Sequence, residues 1–147
     1  MSGIERADFA RELGDLFATW NLARATGRIY GHLLLETEPV GLDHLAEISE
    51  SSAGAVSTGV RELVSWGLAH TIPQPGSRRL LVEATGGLEN LLAASQRRAR
   101  RFVEVLHHGI DLTDTPRARS RLADVAKLFE RYVEAGDEIL RPRQSEK

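Results

Sequence analysis

From Phe9 onward the apolar positions Phe9, Leu13, Leu16, Phe17 and Trp20 recur at three- and four-residue intervals, the period of a helix with one buried face. A second run holds Ile29, Tyr30, Leu33 and Leu34 and stops before Glu36, after which Pro39 and Gly41 punctuate the chain. Leu42 to Ser49 predicts a short helix burying Leu42, Leu45, Ala46 and Ile48. A turn over Glu50 to Ser52 leads into another helix, Ala53 to Trp66, whose first N–H groups Ser51 or Ser52 can cap. Two short helices joined this tightly are the pattern of a helix-turn-helix.

Beyond Gly67 the period falls to two. Leu68, His70 and Ile72 alternate with Ala69 and Thr71, Pro73 to Ser77 interrupts the run, and Arg78 to Val82 is extended again, which predicts a β-hairpin. Helical spacing returns from Leu88 to Ile110, with Leu88, Leu91, Leu92, Phe102, Val105 and Leu106 on one side. It returns again from Pro116 to Leu140, with Leu122, Val125, Phe129, Tyr132, Val133 and Ile139. Thr115 is placed to cap that last helix, with Pro116 at its first position. The expected fold is mainly α, a single unit over 1–147. A winged helix-turn-helix spans 22–86 with the hairpin as its wing, flanking helices at 1–21 and 87–141 form a dimerisation domain, and 142–147 is a disordered tail. The flanking stripes are longer than the central module can cover, so a second copy about a twofold axis is the expected partner, giving a homodimer.

Composition narrows the chemistry. The 147 residues include no cysteine, which excludes disulfides, thiolate nucleophiles, Cys-ligated zinc and thiol redox sensing. The N-terminus mixes both charge signs, and no apolar stretch is long enough to span a bilayer, so a cytoplasmic protein without a membrane partner is expected. A net charge of −2 argues against a nucleic-acid partner until its distribution is read. Residues 1–50 carry 4 basic and 9 acidic side chains, residues 51–101 carry 7 and 3, and residues 102–147 carry 8 and 9. The basic third contains the second helix of the helix-turn-helix and the hairpin.

In the helix after the turn, Val56, Val60, Leu63 and Val64 form the expected buried stripe, leaving Ser51, Ser52, Gly54, Ala55, Ser57, Thr58, Arg61 and Glu62 toward solvent or the stripe's margins, a small and polar outer face. Narrow side chains let a helix approach base edges in the major groove, and an arginine can chelate guanine O6 and N7. Arg61 is therefore the candidate for base readout, and the hydroxyls are candidates for phosphate contact. The competing reading has Ser51 and Ser52 as caps only and Arg61 paired with a nearby acid. Arg78 and Arg79 follow the glycine turn of the hairpin, where they can enter a narrow minor groove. Arg97, Arg98, Arg100 and Arg101 spread around a helix, where ion pairs with acids such as Asp124 or Glu130 are the simpler expectation. His107, His108 and Asp111 lack the ligand count of a metal sphere. No nucleophile elbow, phosphate loop, dinucleotide fingerprint or HExxH is present, so neither catalytic residues nor cofactors are expected.

Leu42 to Thr85 resembles the MarR family of transcription regulators, in particular its GbsR-like and mycobacterial efflux-repressor members. Leu45-Ala46 matches the first helix of the motif, Ser51 to Leu63 the recognition helix, Gly67-Leu68 the start of the wing, and Gly76-Ser77-Arg78-Arg79 its turn. Ala23 to Leu34 is similar to the arginine- and glycine-bearing second helix of those relatives. Where the family commonly has an acid bracing the wing arginines, this chain has Ser77. The resemblance implies a ligand-responsive repressor of efflux, detoxification or stress genes that binds an inverted-repeat operator in double-stranded DNA. It also implies a small hydrophobic effector, for which Trp20, Tyr30, Leu34 and Phe102 are the candidate contacts. A winged-helix module that binds protein instead of DNA is the alternative.

Overall fold

The computed structural model describes residues 1–142. They form two compact units, Met1–Leu88 and the remainder from Glu89. Of the expected tail, residues 143–147 lie outside the described residues.

Helix α1 runs Gly3–Thr19 and starts earlier than its first large apolar residue because Ser2 caps it. The Ser2 hydroxyl accepts the Glu5 N–H at 3.1 Å and the Glu5 carboxylate accepts the Ser2 N–H at 2.9 Å, a reciprocal capping box. Helix α2, Arg24–Leu35, lies against α1. The contact face of α1 differs from the expected stripe: Ala10, Gly14 and Phe17 are buried, whereas Leu16 and Trp20 are 58% and 52% exposed. The reason is the closeness of the backbones. A Cβ on Gly27 of α2 would lie 2.8 Å from Gly14 Cα, and one on Gly31 would lie 2.8 Å from Ala10 Cα. The helices meet on their smallest residues, which turns most of the large ones outward.

Strand β1, Val40–Gly41, was not expected from the sequence. It pairs antiparallel with β3 (Leu80–Ala84), which pairs on its other side with β2 (Ala69–Pro73), giving the order β1-β3-β2. The register of the wing pair runs from Ala69 opposite Ala84 to Pro73 opposite Leu80. β3 therefore begins two residues later than expected. Ser77 N–H donates to the Gln74 carbonyl at 3.1 Å and Gly76 has φ +73°, so Pro75 and Gly76 occupy the central positions of a tight turn. That turn keeps Arg78 and Arg79 in the loop. Between β1 and β2 come α3, Leu42–Ser49, and α4, Ala53–Ser65. Ile29, Tyr30 and Leu33 of α2 share the core of this unit with Leu45 of α3, Val56 and Leu63 of α4, Leu68, and Val82 of β3.

The second unit is a pair of long helices, α5 (Leu88–Leu112) and α6 (Pro116–Leu140). Gln96 is buried on α5 and donates to the Val133 carbonyl of α6 at 2.8 Å. Arg100 pairs with Asp137, and His107 meets Glu130 at 2.6 Å. The apolar stripes are largely open: Phe102 is 45% exposed, Tyr132 57% and Ile139 78%. Among the described residues no helix is long and apolar enough to cross a membrane.

Candidate nucleic-acid interface

Helix α4 is built to present one face and hide the other. Glu50 takes a left-handed conformation (φ 52°) that stops α3, and two residues later Ser52 caps α4 by accepting the Ala55 N–H at 3.1 Å. Ser51 instead donates to the Ser49 carbonyl at 3.2 Å. As a cap, Ser52 uses a lone pair, so its own proton stays available to an acceptor outside the helix.

The hidden face is Val56, Gly59, Val60 and Leu63, an i, i+3, i+4, i+7 stripe. Val64, expected in that stripe, is 40% exposed, and Gly59 takes its place. α4 lies so close to α2 that a Cβ on Gly59 would come within 2.6 Å of Ile29 Cδ1. Centring the contact on Gly59 swings Val64 toward the wing. There it lines a groove of about 320 Å³ with Ser57 and Arg61 of α4, Thr71 of β2 and Leu80 of β3.

The outer face carries Gly54, Thr58 and Arg61, all exposed, with Ser57 half-buried at its margin. Nothing lies within 4 Å of the position a Gly54 Cβ would take. Arg61 has no carboxylate within 4.0 Å among the described residues, so the acid pairing weighed above does not occur there. The neighbouring acid, Glu62, is engaged elsewhere: it accepts the Thr26 hydroxyl of α2 at 2.6 Å.

At the wing tip Arg78 and Arg79 are exposed and likewise free of ion pairs among the described residues. Ser77 braces the turn through the backbone, its hydroxyl accepting the Arg79 N–H at 3.0 Å. This is a different brace from the side-chain carboxylate common in the family. Further down the wing His70 and Glu83 face each other across β2 and β3 at 2.5 Å.

The candidate effector contacts are dispersed. Tyr30 is buried with its ring 5.7 Å from Phe17, whose other neighbour, Trp20, is half-exposed at 6.2 Å. Leu34 is exposed on α2. Phe102 belongs to the second unit, beside Phe129 at 4.5 Å, in an open apolar groove of about 590 Å³ that also takes in Leu128, Tyr132 and Arg98. Of the arginine cluster, Arg100 reaches Asp137 on α6 and Arg101 reaches Glu104 on its own helix. Among the described residues no group of three or more His, Asp or Glu side chains could hold a metal ion.

No family model matches the chain. Among solved structures, one transcriptional regulator aligns over 92% of this chain and 95% of its own, with a TM-score of 0.61 and 23% identity, a likeness of fold. A MarR transcriptional regulator from Methanosarcina mazei Go1 aligns over 84% and 86% at a TM-score of 0.45 and 15% identity. The HTH-type transcriptional regulator MmpR5 of Mycobacterium tuberculosis is 30% identical over 120 residues, covering 78% of this chain and 71% of that protein. The chain belongs to the MarR family. As a MarR-family protein it is a DNA-binding transcriptional regulator and not an enzyme. The three-stranded sheet with its β2–β3 wing, beside α3 and α4, is the family's winged helix-turn-helix.

Proposed function

We propose that this MarR-family protein is a cytoplasmic, homodimeric repressor that reads an inverted-repeat operator with α4 and holds it with the wing. The observation that carries this reading is the outer face of α4, where Arg61 stands exposed beside small hydroxyl residues and has no ion-pair partner among the described residues. An unpaired guanidinium on such a face is free to chelate a guanine edge in the major groove. Ser51, Ser52, Ser57 and Thr58 contact phosphates at its margins, Gly54 keeps the helix N-terminus narrow, and Arg78 and Arg79 follow the backbone or the adjacent minor groove. Residues 1–21 and 87–141 supply the dimer surfaces, and a small hydrophobic effector releases the DNA.

The division of labour is testable by titrating fluorescent operator and scrambled duplexes at several salt concentrations. Arg61→Ala is expected to lose about 1–3 kcal/mol on the operator and much less on the scrambled duplex. Replacing both wing arginines with alanine weakens the two duplexes evenly and lowers the salt slope by about one unit per lost phosphate contact. Equal losses on both duplexes for Arg61→Ala would place base readout elsewhere.

A further inference from the structure

Thr26 is 2% exposed, lies on α2, and has no place in the DNA-facing surface, yet its hydroxyl donates to the carboxylate of Glu62, the residue next to Arg61. We propose that Thr26 is a positioning residue for operator recognition: by holding Glu62 it fixes the rotation of α4 about its own axis, and with it the direction of Arg61. The proposal rests on the reading of α4 as the base-reading helix.

The geometry supports it in two ways. Successive residues of a helix are turned by about 100°, so a tie on Glu62 sets the angle at which Arg61 leaves the helix. Apolar packing holds α4 as well: Ile29 Cδ1 sits where a Gly59 side chain would begin, and Val56, Val60 and Leu63 are buried. A turn of about 20° moves an atom 5 Å from the axis by roughly 2 Å, enough to break a bidentate contact with a base. The hydrogen bond between Thr26 and Glu62 adds a polar, directional contact to that packing and narrows the range of such turns.

The second effect is electrostatic. Glu62 is the only acid in α4, on a helix that meets a polyanion. Drawn toward the Thr26 hydroxyl, its carboxylate lies on the α2 side of the helix and cannot neutralise Arg61. An unheld Glu62 would be free to swing toward the DNA-facing side and repel phosphate.

The test uses the full-length protein with Thr26→Val, Thr26→Ser, Glu62→Ala and the Thr26→Val/Glu62→Ala double variant. Each is titrated with operator and scrambled duplexes, and amide hydrogen exchange across α4 is followed without DNA. Thr26→Val is expected to lower the operator-to-scrambled affinity ratio by about tenfold, with Thr26→Ser restoring it and the double variant no worse than Thr26→Val. Exchange in α4 should quicken in Thr26→Val and recover in Thr26→Ser. A folded Thr26→Val protein with the parental ratio and parental α4 exchange overturns the proposal. If Thr26→Val does not fold, Glu62→Ala decides by the same two readouts. If the parental protein itself does not prefer the operator, the DNA reading of α4 has failed, and exchange alone judges the tie.

Discussion

Glycines at two places in the first unit make opposite demands on a methyl group. At Gly27 an added Cβ meets Gly14 Cα and the Phe17 ring at 2.8 Å, so Gly27→Ala is expected to destabilise the fold by about 1–3 kcal/mol despite its better helix propensity. At Gly54 the space is open, so Gly54→Ala should stabilise by up to about 1 kcal/mol while weakening operator binding, because it thickens the narrow end of α4. Chemical denaturation beside operator titration separates the two outcomes. His32 offers a pH readout. Burial on α2 holds its imidazole below the ordinary 6.5, Glu36 raises it, and Arg28 and Arg6 lower it. The unfolded chain therefore takes up this proton first as the pH drops. The stability from the neutral ring is complete above 6.5 and declines as the pH falls from there toward the folded value. His32→Gln should flatten that part of the thermal midpoint's pH profile, and an unchanged profile would assign the slope elsewhere. Residue by residue, the sequence was legible where a side chain makes its own case. Ser52 capping α4 and the exposed Arg61 were foreseen, whereas Val64 and Gly59 exchanged roles because backbone approach to Ile29 carries no apolar signal. The Thr26–Glu62 bond joins residues 36 apart, beyond any local pattern.

At the scale of elements, the helices followed their periods and the ends followed chemistry. α1 begins at Gly3 because of the Ser2–Glu5 capping box, a signal present in the sequence but outweighed there by the apolar repeat from Phe9. β1 was not legible. Two residues cannot display an alternation, and Val40 and Gly41 are a strand only because Val82 and Leu81 lie opposite. The α5–α6 pair turns on one buried amide. A Cβ on Gly136 would run into the Gln96 side-chain amide and push it off the Val133 carbonyl, so Gly136→Ala should destabilise the helix pair by about 1 kcal/mol. Adding Gln96→Ala should recover part of that loss by making room. Thermal unfolding of the single and double variants reads this directly, and additive losses would show that Gly136 acts through something other than Gln96.

For the whole molecule, the open stripes of α5 and α6 argue for a partner, since Phe102, Leu128, Tyr132 and Ile139 are large apolar side chains left exposed on the two helices. Light scattering is expected to give a dimer mass at micromolar concentration; a folded, cooperative monomer there would remove the two-half-site operator as well. With no cysteine and Met1 as the sole methionine, peroxide is expected to leave operator affinity unchanged. Release of DNA from freshly purified protein by mild peroxide would contradict that. The seam between α1 and α2 has a genetic consequence. Glycine is the smallest amino acid, so every missense change at Gly14, Gly27 or Gly31 enlarges the residue where backbone or side chains already lie within 3 Å. A selection for cells that have lost this regulator's control should therefore collect alleles at these codons, spread across substitutions of every chemical type. At Arg61 the surviving alleles should instead track the chemistry of the replacement.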